Sequence, residues 1–345
     1  MVRVSLATAI SLVLPAVLFA APPAGKATCA SCHKEEARLQ PKTSMGIGLE
    51  LPPNQEVLKE HARLTFESNG YKYVIERKDG VSTYTVSDGA SSLALPIRYA
   101  FGVAAQTFVF DYGGHFYESL VSYYPTAGGL AITMGSERVR PHTLVEAMGR
   151  PTSSDEIVAC FGCHSSGGVS QGKLTLDSMQ PGLDCEHCHA GANAHQEAMS
   201  QGKPPAPAPK KLREMSAEEM SNFCGGCHRT WDTVVRLKTW GEVNVRFQPY
   251  RLANSKCFLG NDRRIGCTAC HNPHDNLVRD DASYDHNCVA CHAKASSSGG
   301  PQKTCPVASA KCVSCHMPKV ELPGSHSLFT DHQIRIVHPG DPYPN

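Results

Sequence analysis

Beyond its first twenty residues the sequence has no apolar run approaching the roughly 20 residues that a bilayer crossing takes, so no later segment is expected to span one. It also has no excess of either charge: 33 Lys and Arg against 32 Asp and Glu leave a formal net charge of +1. A nucleic-acid partner or an anionic membrane surface would require a basic excess, so neither is expected. Between His33 and Cys160 there is no nucleophile elbow, phosphate loop or metal triad, which argues against a separate catalytic domain there. The first twenty residues do carry an apolar run. Arg3 followed by the uncharged stretch Leu6 to Ala20 reads as a secretory signal cleaved near Ala20 or Ala21. A periplasmic, extracellular or cell-surface location follows as the expectation.

The sequence is rich in cysteine, with sixteen residues. In an exported chain free thiols are disfavoured, so a disulfide framework is the first idea to test. Spacing rejects it for most of them. The pattern Cys-x-x-Cys-His occurs at Cys29, Cys32 and His33; at Cys160, Cys163 and His164; and at Cys185, Cys188 and His189. It recurs at Cys224, Cys227 and His228; at Cys267, Cys270 and His271; at Cys288, Cys291 and His292; and at Cys312, Cys315 and His316. Two thiols one short turn apart can add to the two vinyl groups of one porphyrin, and the adjacent histidine then lies beneath the iron. Zinc sites also use Cys-x-x-Cys pairs but do not demand a histidine directly after each one. Seven covalently bound haems c are therefore expected, with the seven motif histidines as proximal ligands. Cys257 and Cys305 remain, and are expected either to form one disulfide or to stay free.

Between Cys160 and His316 six motifs leave about 26 residues each, too few for every haem to own a conventional core. The expected fold is accordingly mostly irregular, with short α-helices around a stacked multihaem core. A small antiparallel β insertion is expected between the first and second haems. It rests on strand-like stretches 63–67, 71–77, 82–86, 107–112 and 116–124, separated by Asn69-Gly70, Asp79-Gly80, Asp88-Gly89 and Gly113-Gly114. The domain reading is a signal at 1–20, a first haem segment at 21–56, the β-rich insertion at 57–140, a six-haem core at 141–338 and a tail at 339–345. Lys203 to Lys211 reads as a stiff proline-rich surface connector.

Ten histidines lie outside the proximal positions, enough to give several irons a second axial ligand. A fixed sixth ligand suits electron transfer, whereas an open position admits substrate. His274 lies three residues after His271, so both rings project from one side of a turn and His274 must serve a different haem. His195, His326 and His332 are expected to reach neighbouring haems in the same way. For the first haem Met45 and His61 both stand as distal candidates, and His142 could complete another. Each ferric haem would add one negative charge on balance, roughly six or seven over the whole protein, which favours a basic redox partner.

The chain resembles the multihaem c-type cytochrome superfamily, specifically proteins like cytochrome c-554. The residues that carry the resemblance are Gly182-Leu183-Asp184-Cys185-Glu186-His187-Cys188-His189 followed by His195, Cys267-Thr268-Ala269-Cys270-His271-Asn272-Pro273-His274, and Cys312-Val313-Ser314-Cys315-His316-Met317-Pro318-Lys319 with Thr330-Asp331-His332. The resemblance covers Cys160 to His332 and implies that His274 ligates another haem. Relatives often have Ser-x-His where this chain has Thr43-Ser44-Met45. Three functions are expected as candidates: an electron carrier exchanging with redox proteins or other multihaem cytochromes, favoured by the spare histidines; a self-associating filament subunit, suggested by a first haem far from the others in sequence; and, as the resemblance implies, an oxidoreductase acting on a small nitrogen or sulfur oxyanion. The lysine-ligated motif of the nitrite-reducing group is absent, and no crosslinking tyrosine is recognisable, which favours the carrier.

Overall fold

The computed structural model describes residues 29–202, 211–292, 305–338 and 340–344. The leader at 1–20 and the prolines of the connector lie outside the described residues.

Four strands, β2 (Arg63–Ser68), β3 (Tyr71–Lys78), β4 (Val81–Ser87) and β5 (Ser92–Pro96), form an antiparallel meander. Both residues of Asn69-Gly70 and of Asp79-Gly80 have positive φ, the paired left-handed turn whose twist matches a two-residue hairpin. Along β4 Ser82, Tyr84 and Val86 point inward and their neighbours outward, the period-2 pattern of a strand with one buried face. A second sheet has the order β1 (Leu49–Glu50), β6 (Tyr99–Phe101), β7 (Gln106–Tyr112), β8 (His115–Tyr124) and β10 (Gly149–Pro151), with β9 (Gly129–Ile132) also paired to β8. The sheets share one core: Tyr73, Ile75, Tyr84 and Val86 from the first pack with Phe108, Phe110, Leu120 and Val121 from the second.

This architecture corrects the expectation of a mostly irregular chain with one small β insertion. The fold is mixed α/β with several antiparallel sheets. The larger sheet recruits β1 and β10 from segments next to the first and second motifs, so it extends beyond the stretch whose alternation was legible. Further two-stranded ribbons pair Ser165–Ser166 with Gln180–Pro181, Val169–Ser170 with Lys173–Leu174, and Lys319–Glu321 with Leu328–Thr330. Elements of two or three residues carry no readable periodicity.

The two longest helices among the described residues each end on a motif. Ser154–His164 and Ala217–His228 each begin with a reciprocal capping box, Ser153 with Glu156 and Ser216 with Glu219. Such a cap satisfies two orphan backbone donors and fixes where the helix starts. The second face of the larger sheet, through Leu49, Tyr99, Phe101 and Val109, packs on Ile157 and Phe161 of the Ser154–His164 helix. The β region thereby holds the second motif.

Candidate haem-binding site

Each motif lies on a helical turn. The backbone N–H of His33 donates to Cys29 O at 2.8 Å, that of His189 to Cys185 O at 2.8 Å and that of His271 to Cys267 O at 2.9 Å. That i to i+4 closure brings both thiols and the imidazole onto one side of a single turn, the arrangement covalent haem attachment needs. A cavity of about 2670 Å³ runs between the helices. Its walls include both cysteines and the histidine of the first, third, fourth, fifth and sixth motifs, together with His164 of the second. A single drug-sized ligand occupies roughly 300–1,000 Å³, so this space suits several large groups.

Three motif histidines face a second imidazole across it. Ring centroids are 6.4 Å apart for His33 and His195, 5.9 Å for His189 and His274, and 6.1 Å for His271 and His332. Two imidazoles bound to opposite faces of one metal at about 2.0–2.1 Å each, with about 1.1 Å from nitrogen to ring centre, would have centroids about 6.3 Å apart. The observed spacings match that value. Among the described residues no three His, Cys, Asp or Glu side chains converge as a bare ion would require. The donor set therefore fits a metal whose remaining ligands come with it, as in a porphyrin.

The imidazoles are prepared for such a role. Nδ1 of His332 lies 2.9 Å from Thr330 O, Nδ1 of His164 2.9 Å from Gly48 O, and Nδ1 of His316 2.8 Å from Arg335 O. A ring whose Nδ1–H donates to a carbonyl presents Nε2 as its free lone pair. Burial pushes His332 down to about 4 and lowers His164, His228, His271 and His189 as well, which keeps them neutral as a metal ligand must be. Nδ1 of His195 is buried without a hydrogen-bond partner among the described residues.

Packing fixes these positions. Phe161, inside the second motif, is fully buried and meets Tyr99 edge-on at 4.9 Å and Phe101 at 5.3 Å; Phe101 in turn meets His164 at 5.6 Å. Gly182, with φ of +73°, approaches Gly46 so closely that a Cβ would lie 1.9 Å from its carbonyl oxygen. That contact, with Leu183 N donating to Met45 O, joins the first and third motif segments.

Sequence reasoning missed Arg251. Its guanidinium and the Asp331 carboxylate are both fully buried, joined by Nε at 2.8 Å and Nη2 at 2.9 Å. Arg251 also donates to Gln333 Oε1 and Pro344 O, and stacks on Tyr343 at 4.5 Å. Burial raises the Asp331 carboxyl, but hydrogen bonds from Arg251 and Gln333 outweigh this and leave it below the ordinary carboxylate range. Asp331 directly precedes His332, so this network aims that ring. The only available signal was an arginine inside an apolar stretch.

The other candidates are placed differently. His326 lines the cavity with its ring edge-on to Tyr124 at 4.7 Å and with φ of +51°. Met45 lines the same cavity, but the ring opposite His33 is that of His195. His61 packs on Tyr123 in the β region, and His142 is exposed beside Glu146. Cys257 and Cys305 are both free thiols in this structure, the second of the two expected alternatives. Among the described residues no helix is long and apolar enough to cross a membrane.

Against solved structures, the fold is similar to the crystal structure of outer cell wall cytochrome OcwA, with a TM-score of 0.50 and 13% identity over 91% of this chain and 80% of that one. The chain shares its fold with that cytochrome. At this identity the likeness concerns fold alone. No protein-family model and no curated protein matches the chain.

Proposed function

We propose that this chain attaches seven haems c, one at each motif, and serves as an exported electron-transfer cytochrome. The observation that carries the reading is the set of three facing pairs, His33 with His195, His189 with His274, and His271 with His332. Haem supplies a reversible one-electron site, and two strong axial ligands minimise rearrangement on oxidation and reduction. The residues supply the rest. Fourteen cysteines anchor, seven histidines ligate from the proximal side, and His195, His274 and His332 close the distal side of the first, third and fifth sites. His326 is assigned to a further site, and His195 takes the position for which Met45 and His61 were candidates. The likeness to a cytochrome of an outer cell wall supports action outside the cytoplasm, with redox proteins as partners.

A potentiometric titration with parallel electron paramagnetic resonance tests this. Reversible uptake of seven electrons and low-spin iron at the three paired sites are expected. An irreversible titration, or high-spin iron at any of those three sites, would refute it.

A further inference from the structure

Two arginines five residues apart are paired differently. Arg251 is met by Asp331, Gln333 and Pro344 O. Arg246 has no oxygen acceptor among the described residues: its Nε is buried without a hydrogen-bond partner, and its Nη1 meets the thioether of Met134 at 3.8 Å. A guanidinium withdrawn from water is costly unless an anion meets it. Resting on the haem reading above, we infer that Arg246 pairs with a propionate of the haem that His326 ligates, so that one seam of the molecule supplies both the distal ligand and the counter-charge of a single haem.

The two residues share one wall. Arg246 ends the short helix Glu242–Arg246, which packs on the strand Leu328–Thr330. That strand follows His326 directly, and Leu328, Phe329 and Thr330 line the cavity together with it. From the other side, Met134 donates its backbone N–H to Tyr124 Oη at 2.9 Å, and the Tyr124 ring is the one that meets His326 edge-on at 4.7 Å. Arg246 therefore touches the same β-region loop that carries the support of the His326 ring.

The hairpin tip bearing His326 is fastened to this seam. Thr126 Oγ1 donates to His326 O, and Gly324, with φ of +73°, comes so close to Glu137 that a Cβ would lie 2.0 Å from its Oε1. Ser325 closes the tip from within, donating to Leu322 O at 2.8 Å and accepting from Ser327 N at 3.2 Å. His326 is thereby held at φ of +51°, a left-handed conformation that a histidine keeps only where its surroundings impose it.

A propionate is a carboxylate on the porphyrin edge, and a guanidinium takes a carboxylate through two parallel N–H···O bonds. The unpartnered Nε of Arg246, with an adjacent Nη, presents that fork. Burial and the nearby charge of Arg229 push Arg246 below the ordinary guanidinium range, a cost that a carboxylate would offset. A cation fixed beside a haem also disfavours the extra positive charge of ferric iron, so it raises that haem's potential.

Intact mass is taken first, and fewer than seven haems would sink the haem reading itself. With seven present, potentiometric titration followed by electron paramagnetic resonance reads the pairing, each haem being identified by its g values. Arg246→Met should move one haem's midpoint to lower potential and leave the others in place, and Arg246→Lys should keep most of the parent value. His326→Ala should turn one haem high-spin, and it should be the haem that Arg246→Met moves. Unchanged midpoints in Arg246→Met, or a shift on a haem that stays low-spin in His326→Ala, would overturn the inference while leaving the haem reading intact. So would a parent midpoint that moves on adding sulfate and no longer does so in Arg246→Met, because the guanidinium would then hold a free oxyanion. If His326→Ala does not fold, nuclear Overhauser contacts in the reduced parent decide. The Tyr124 ring should touch the haem whose midpoint Arg246→Met moves, and contact with a different haem or with none would overturn the inference.

Discussion

Replacing Arg251 with methionine should undock the C-terminal segment and release His332. Asp331 would keep Arg335, whose Nη1 lies 2.5 Å away, and Gln333 N at 3.0 Å. It would lose both bonds from Arg251 in a site where neither side chain is exposed. Removing one member of a buried pair costs about 3–5 kcal/mol, which amounts to roughly two to three and a half decades in the docking equilibrium at about 1.4 kcal/mol per decade. Chemical denaturation followed at 25 °C by circular dichroism would read this as a lowered midpoint. In parallel, the fifth haem should gain high-spin character as His332 leaves. The double variant Arg251→Met/Asp331→Leu removes the pair whole and should recover most of the loss, because a well-packed apolar replacement of a buried pair is often neutral. A single variant within about 0.5 kcal/mol of the parent, the scatter of surface substitutions, would refute the reasoning. So would a double variant as damaged as the single.

The same carboxylate sets an acid limit. Its folded pKa lies below the unfolded value of about 3.9, so its contribution is fully present above that value and is lost as pH falls through the folded pKa; a tail that undocks near neutral pH would contradict this. His195→Ala and His274→Ala should each convert one haem to high spin by electron paramagnetic resonance, whereas His61→Ala and His142→Ala should leave the spectrum unchanged. Phe161→Ala should destabilise by about 3–5 kcal/mol in a denaturation experiment, because the ring is fully buried between Tyr99 and Phe101. Ser216→Ala should cost about 1 kcal/mol by the same measurement, since it opens the capping box of the helix that bears the fourth motif.

The attachment motifs were legible because their chemistry is local: three functional groups on one helical turn leave a fixed spacing. The hairpins were legible for the same reason, since Asn69-Gly70 and Asp79-Gly80 encode their own turn. The extent of the sheets was not, because β1 and β10 are two- and three-residue strands recruited from beside the motifs. Distal histidines could be nominated but not paired. Whether His274 faces His189 or another ring depends on packing between segments 85 residues apart, for which sequence has no periodicity. Met45 drew attention by its closeness to the first motif along the chain, whereas His195, 162 positions from His33, is the ring that stands opposite. Arg251 and Asp331 lie 80 residues apart, and an arginine inside an apolar stretch does not name its partner.

Covalent haem at all seven motifs is checked by the intact mass of the exported protein after denaturation. The expected mass is that of the polypeptide plus seven haems, unchanged by chelators. A bare polypeptide mass, or one whose added mass a chelator removes, would contradict it.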